Sequence, residues 1–298
     1  MTGNKIVASV RRIEGTVGDK LTLALERPAL KIAVQAAARC ALGFVLSRCS
    51  VMGQTAPFGL SWAAAAGGIG AKGILAALGS ALGYWSVNSV VATLFTAAVL
   101  LIFAALLLTA KGAQKPWLRP AFALASYIVT ALPYLISQGF EVDLLAAFIT
   151  NGVLSFGCTR FFALALEKGG EGEVLRQRHL GKMILLLCAL MAASGVKIAP
   201  YVSVGRTAAV LLVMLAARAG GFGWGSAAGV SAGLGMDIAL GEGPFFSMAY
   251  GFSGLLSGVF CERSRLVSAL SYVLAGAVAA LWAEASFGRL CLFYETFA

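Results

Sequence analysis

Long apolar runs, broken by short polar or glycine-rich turns, recur along almost the whole chain. A helix needs about 20 apolar residues to cross a bilayer, and a shorter one fits where its neighbours shield it. The runs predict an all-α fold, a polytopic transmembrane helical bundle of about 10–12 spans. Eleven candidate helices precede a fragment that opens near Leu290: 31–46, 57–68, 70–84, 89–110, 120–136, 144–166, 183–196, 204–217, 224–240, 245–260 and 266–283.

The basic residues predict how these helices are oriented. If the N-terminus is cytoplasmic and each candidate crosses once, 18 of the 23 Lys and Arg residues fall on the cytoplasmic side. Arg48, Lys197, Arg206 and Arg289 fall on the outer side, and Arg39 lies within the first candidate helix. Because cytoplasmic loops are enriched in Lys and Arg, this bias favours a cytoplasmic N-terminus.

Two segments are predicted along the chain. Residues 1–30 form a basic cytoplasmic tail, and their apolar positions recur at roughly helical spacing. This tail is either an amphipathic segment on the inner leaflet or a solvated extension. Residues 31–298 form the membrane domain, whose last helix is truncated at Ala298. We expect that helix to lead any continuation of the chain back into the cytoplasm.

The amino-acid composition is typical of a membrane protein. Apolar residues make up 59% of it and charged residues 12%, whereas soluble domains are about 25% charged. The formal net charge of +10 is compatible with nucleic acid, but in a polytopic protein it is better explained by cytoplasmic loops facing anionic lipid. The expected partner is therefore the lipid bilayer, and no nucleic acid partner is expected.

Glycine, with 36 residues, clusters at helix-packing spacing. Small residues at positions i and i+4 let two helix backbones approach closely in a membrane. Gly225, Gly229, Gly233, Gly254 and Gly258 are the candidate packing positions. Two interpretations stay open: these glycines serve packing alone, or a partly broken helix pair around residues 220–243 lines a binding site. The helix pair at 57–84 faintly resembles the pair at 221–260, so two related halves are a further hypothesis.

Charged residues near the outer ends of helices are the best candidates for a site. Arg48, Arg206 and Glu284 are predicted to form an ion-pair cluster that holds helices in register or contacts an anionic ligand. The alternative for each is a side chain that extends to the interface while its stem packs among apolar groups.

Catalytic and metal-binding residues are scarce. The single histidine, His179, is placed by its basic neighbours in a cytoplasmic loop, and nothing nearby completes a catalytic triad. The six cysteines include no CxxC pair. We expect no catalytic residue, no metal site and no cofactor within this chain.

Several segments resemble the N-terminal membrane region of the stage II sporulation protein E family of endospore-forming bacteria. The resemblance runs over nearly the whole chain and rests on the order and spacing of its motifs. The matching segments are 42–48 followed by 56–58, 205–206 leading to 220–221, 227–234, 252–258, and 281–284 leading to 293–295.

This resemblance implies a membrane anchor that precedes a cytoplasmic oligomerising region and a manganese-dependent serine/threonine phosphatase. In that family the phosphatase acts on an anti-sigma-factor antagonist at the polar septum and so activates the forespore sigma factor. The family also associates with the tubulin-like division protein. The resemblance therefore implies a multi-pass protein of the cell membrane at the sporulation septum, which self-associates and whose manganese and catalytic residues belong to regions outside this chain.

Three functional hypotheses follow. The first is a membrane domain that anchors, localises and oligomerises the phosphatase. The second, from a different class, is a small-molecule transporter or substrate-binding membrane subunit that uses the broken helices. Its weakness is the scarcity of polar residues at membrane depth, where a polar substrate needs partners. The third is an anchor without any regulatory role.

Overall fold

The computed structural model describes residues 28–51, 54–68, 70–108, 117–167, 173–196, 203–240 and 244–283. Apart from one short strand pair, the regular structure within these ranges is helical. Ten helices follow one another there: α1 (Pro28–Ser47), α2 (Phe58–Ala66), α3 (Ala71–Trp85), α4 (Val90–Leu108), α5 (Leu118–Ser137), α6 (Val142–Leu166), α7 (Glu173–Ser194), α8 (Val204–Leu240), α9 (Phe245–Val259) and α10 (Arg265–Ala283).

The predicted all-α helical bundle is confirmed, with two local differences. Strands β1 (Ser50–Val51) and β2 (Gln54–Thr55) form an antiparallel pair between α1 and α2. Helix α7 begins ten residues before the predicted Met183, so His179 lies in a helix and the prediction of a loop there was wrong. The segment before Met183 is rich in Glu, Leu, Arg and Gln, which favour helix even where the chain is charged.

Four of the helices are long and apolar enough to cross a membrane: α4, α5, α6 and α8. Three shorter apolar stretches, Ile32–Ser47, Phe245–Val259 and Arg265–Ala279, lie in α1, α9 and α10. This arrangement fits a multi-pass membrane protein. The number of crossings and the position of the bilayer stay predictions, as does the 1–30 tail, which lies outside the described residues except for the start of α1.

Helices α1 and α3 run parallel to each other. A Cβ added at Gly79 of α3 would meet the backbone of Cys40 in α1, and one added at Gly83 would meet the backbone of Phe44. A step of four residues along α3 therefore matches a step of four along α1 in the same direction. The chain between them must return across the bundle, and α2 is the helix that does so.

Helix α2 is enclosed by its neighbours on every side. All nine of its residues are buried, and α1, α3, α4, α5 and α6 pack around it. Nine helical residues extend about 13 Å, less than half of the roughly 30 Å hydrocarbon thickness. Helix α2 is thus a short internal helix rather than a complete span, which explains why the predicted candidate 57–68 was so short.

Hydrogen bonds from three other helices fix α2 in place. The Tyr84 hydroxyl in α3 donates to the carbonyl oxygen of Ala56 at 2.9 Å and accepts from the N–H of Leu60 at 3.2 Å. The Trp62 indole donates to the carbonyl oxygen of Arg39 in α1 at 3.0 Å. Ser61 donates to the carbonyl oxygen of Ser155 in α6 at 3.2 Å. Three of these four bonds are buried, and together they tie α2 to α1, α3 and α6, so they specify one position for α2.

Replacing Tyr84 by phenylalanine is expected to lower the free energy of unfolding by about 2 kcal/mol, because the buried Leu60 N–H and Ala56 carbonyl both lose their partner. Melting of the purified chain in detergent measures the effect. Tyr134→Phe at a half-buried site in α5 is the matched control, expected to change stability by less than about 0.5 kcal/mol. Equal losses in the two variants would contradict the role of Tyr84.

Candidate functional site

A break in α8 creates the pair of helices on which the candidate residues lie. Gly220 and Gly221 have non-helical backbone angles, and Gly221 has φ of +70° with ψ of −159°. This conformation is essentially restricted to glycine, since a Cβ would clash with the backbone. The two predicted helices 204–217 and 224–240 are therefore the two halves of α8, joined by a two-residue reversal.

The second half of α8 and α9 pack backbone to backbone in antiparallel orientation. A Cβ added at Gly225, Gly229 or Gly233 would lie less than 3.0 Å from a backbone oxygen of α9, in Gly254, Tyr250 and Phe246 respectively. The α9 glycines are equally confined, with Gly254 against the Gly225 carbonyl and Gly258 against Phe222. All five candidate packing glycines thus lie at this one interface, which we call the glycine interface.

Asp237 closes the far end of the glycine interface. Its side chain is buried, Oδ1 accepts a hydrogen bond from the N–H of Phe246 at 2.7 Å, and Oδ2 accepts one from Ser247 at 2.9 Å. These N–H groups belong to the first turn of α9, whose N-terminus carries a partial positive charge. Asp237 therefore caps α9 from the preceding helix, and both of its oxygens are committed to that role.

Arg206 lies close to this cap. It is 6% exposed, and its guanidinium carbon is 6.0 Å from the centroid of the Phe246 ring, within the range of a cation–π contact. The alternative for this residue was a side chain that extends to the membrane interface, which would expose the guanidinium. Arg206 is instead buried. It packs the start of α8 against the capped end of α9.

Arg48, a second member of the predicted ion-pair cluster, has different surroundings from Arg206. Arg48 is exposed at the end of α1, where it donates to the Ser86 hydroxyl at 3.2 Å and lies 5.7 Å from the Phe44 ring centroid. Glu284 lies outside the described residues. Arg48 contacts Ser86 and Phe44, whereas Arg206 contacts Phe246 of α9, and the predicted cluster with Glu284 stays a prediction.

The chemistry available at this site is structural. Among the described side chains, no group of three or more His, Cys, Asp or Glu residues could hold a metal ion. Each oxygen of Asp237 accepts a backbone N–H, and Arg206 faces an aromatic ring. The arrangement fixes the angle and register of α8 and α9 rather than presenting a reactive group.

Sequence reasoning missed the role of Asp237. The predicted helix 224–240 contains this residue, as the structure confirms, but the sequence pattern did not indicate the cap. The cap spans nine residues to Phe246, whereas the usual signal is an Asp, Asn, Ser or Thr two or three residues before the N–H that it binds. Pro244 occupies the expected capping position and offers no side-chain acceptor, which is the one available hint.

Comparison with known proteins identifies the family. Residues 7–298 match the family described as SpoIIE, N-terminal domain. Searches of curated proteins and of solved structures returned no match. The matched range covers the glycine interface, the Asp237 cap and α1 to α10 together, so it concerns the whole bundle and not one motif. The chain belongs to the SpoIIE family, as its membrane-anchoring N-terminal domain.

Proposed function

We propose that this domain anchors, localises and oligomerises a sporulation phosphatase that acts on an anti-sigma-factor antagonist at the polar septum and thereby activates the forespore sigma factor. The observation that carries the proposal is the family match over residues 7–298. Four apolar helices of spanning length support the anchoring part of it. The phosphatase, its manganese and the contact with the tubulin-like division protein belong to cytoplasmic regions outside this chain.

Surface composition supports a domain surrounded by lipid. Large apolar side chains are exposed along several helices, among them Leu101 in α4, Val153 in α6, Leu211 in α8 and Leu274 in α10. In water this much exposed apolar surface would drive aggregation, whereas in a bilayer it faces acyl chains. Self-association of the domain is consistent with such surfaces, because transmembrane helices associate through packing rather than through charge.

The transporter hypothesis has less support. A carrier for a polar solute needs unsaturated polar groups around a cavity at membrane depth. The buried charges near the broken helix are Arg206 and Asp237, and both are engaged in packing α8 against α9. We therefore retain the anchoring and localising role.

Topology is the first prediction to test. Two reporters are inserted separately at three turns: after Val87, after Gly139 and after Glu262. Alkaline phosphatase is active only outside the cell, and green fluorescent protein is fluorescent only inside it. The positive-inside bias predicts active alkaline phosphatase at the first two positions and fluorescence at the third. The opposite pattern would place the basic loops outside and would contradict a cytoplasmic phosphatase.

Localisation requires a separate experiment. In a sporulating host, the membrane region of the resident family member is replaced either by this chain or by an unrelated polytopic domain of similar length. We expect only the first chimera to concentrate at the polar septum and to restore a forespore sigma-factor reporter. If both chimeras do so equally, the domain is an anchor without a localising role, and that part of the proposal is wrong.

A further inference from the structure

An apolar groove runs along the outside of the bundle between α7 and the two halves of α8. Its volume is about 510 Å³, within the range of roughly 300–1,000 Å³ typical of small-molecule sites. Leu186 and Leu190 line it from α7, Leu215 and Ala219 from the first half of α8, and Trp224 and Ala227 from the second half. The reversal at Gly220 and Gly221 brings both halves of α8 to the groove, and the halves pack closely, since an added Cβ at Gly225 would meet Ala217.

The groove has one basic end. Helices α7 and α8 are antiparallel, since Gly205 at the start of α8 lies against Leu190 and Ser194 near the end of α7. The part of α7 around Met183 and the part of α8 around Ala219 are therefore at the same end. One helical turn beyond Leu186 on the same face comes Lys182, and one turn beyond Leu215 comes Arg218, both exposed.

Acidic residues near this end are offset by basic ones within the described chain. The turn between α9 and α10 is close, since Gly258 lies against Phe222, and it holds both Glu262 and Arg263. The end of α6 is also close, since it packs against α7 beside Lys182, and its Glu167 is accompanied by Arg160. Trp224, 61% exposed, lies next to the reversal, and tryptophan favours the level of the lipid headgroups. The groove thus joins an apolar channel to a positive, aromatic rim.

We infer that this groove binds an anionic phospholipid of the surrounding membrane, with an acyl chain between α7 and α8 and the phosphate at Lys182 and Arg218. Basic pockets between transmembrane helices on the cytoplasmic side are typical sites for anionic headgroups, and the positive-inside bias predicts that side here. The lining matches an acyl chain, because Ser231 is its one hydroxyl among alanine, leucine, methionine and tryptophan side chains.

A second copy of the chain fits the groove less well. A symmetric pair formed through this surface would bring the Lys182 and Arg218 of one copy towards the same residues of the other. Like charges at an interface oppose association unless anions separate them. A lipid supplies both the apolar tail and the compensating charge in one molecule.

The test uses the purified 298-residue chain in neutral detergent, titrated with dioleoyl phosphatidylglycerol or dioleoyl phosphatidylcholine. Thermal melting and native mass spectrometry report stabilisation and the number of bound lipids. We expect phosphatidylglycerol to bind in preference. The double variant Lys182→Gln with Arg218→Gln is expected to need about 30-fold more of it for half-maximal stabilisation, since each basic residue near a membrane surface contributes about 1 kcal/mol.

Two controls keep the result specific. Arg48→Gln with Lys72→Gln removes the same charge from the end of α1 and from α3, which do not line the groove, and it should leave the titration unchanged. Ala227→Trp fills the groove and should abolish lipid retention, whereas Ala104→Trp on the exposed face of α4 should not. Equal effects of the two double variants, or equal binding of the two lipids, would overturn the proposal. The proposal would also be overturned if Ala227→Trp changed the mass of the oligomer and left lipid binding intact. That result would show that the groove is an interface between two copies of the chain.

Discussion

Replacing Gly229 by leucine is expected to lower the melting temperature of the purified chain by about 5 °C. The backbone atoms of Tyr250 and Gly251 lie less than 3.0 Å from the position of an added Cβ. Atoms of the α9 backbone cannot move aside as a flexible side chain can, so the two helices must separate. Overpacking of this kind costs about 3 kcal/mol, which corresponds to this shift in a protein of this size.

The matched control for Gly229 lies on the same helix. Gly223 is exposed, and an added Cβ there has no other atom within 4 Å. Gly223→Leu is therefore expected to leave the melting temperature within about 2 °C, because surface substitutions usually change stability by less than about 0.5 kcal/mol. If the two leucine variants have the same melting temperature, the glycine interface does not determine the stability of the α8–α9 pair.

The positions of the helices could be predicted because hydrophobic runs report them directly. Ten of the eleven predicted segments overlap helices at nearly the predicted bounds, and the remaining one, 183–196, forms the second half of α7. The charged first half of α7 was not predicted because apolar runs do not indicate charged helical segments. A helix continues beyond its apolar part wherever its residues favour helix.

Pairing of helices was harder to predict than their existence. Gly79 and Gly83 have the same i, i+4 spacing as Gly225 and Gly229, but the spacing does not say which helix each pair meets. In the structure the first pair packs against α1, two helices earlier, and the second against the next helix, α9. The faint similarity between residues 57–84 and 221–260 is thus not matched by equivalent glycine-mediated pairing.

The candidate ion-pair cluster shows why charge alone is a poor guide to a site. Sequence places Arg48 and Arg206 on the same predicted side of the membrane, but not in the same environment. Arg48 is exposed beside Ser86, whereas Arg206 is buried against Phe246. Only three-dimensional packing decides which of two arginines faces water and which faces a ring.

The proposed lipid groove and the glycine interface share the second half of α8. Trp224 and Ala227 line the groove, whereas Gly225 and Gly229, on another face of the same helix, pack against α9. A lipid bound in the groove would therefore contact the helix that packs against α9.

Replacing Asp237 by alanine is expected to destabilise the chain by about 3 kcal/mol. The N–H groups of Phe246 and Ser247 would each lose a charge-assisted bond in a buried position, and the partial positive charge at the start of α9 would lose its counter-charge. Asp237→Asn should lose less, because one amide oxygen still accepts a bond. Thermal melting in detergent gives the values.

Asp143→Ala is the control for this prediction. Asp143 lies in the first turn of α6, at the same kind of helix N-terminus, but it is exposed. Its removal should cost about 0.5 kcal/mol, the typical value for a solvated charge near a helix end. A loss at Asp237 no greater than the loss at Asp143 would mean that the cap does not hold α9, and the packing of Arg206 on Phe246 would then have to fix the end of that helix alone.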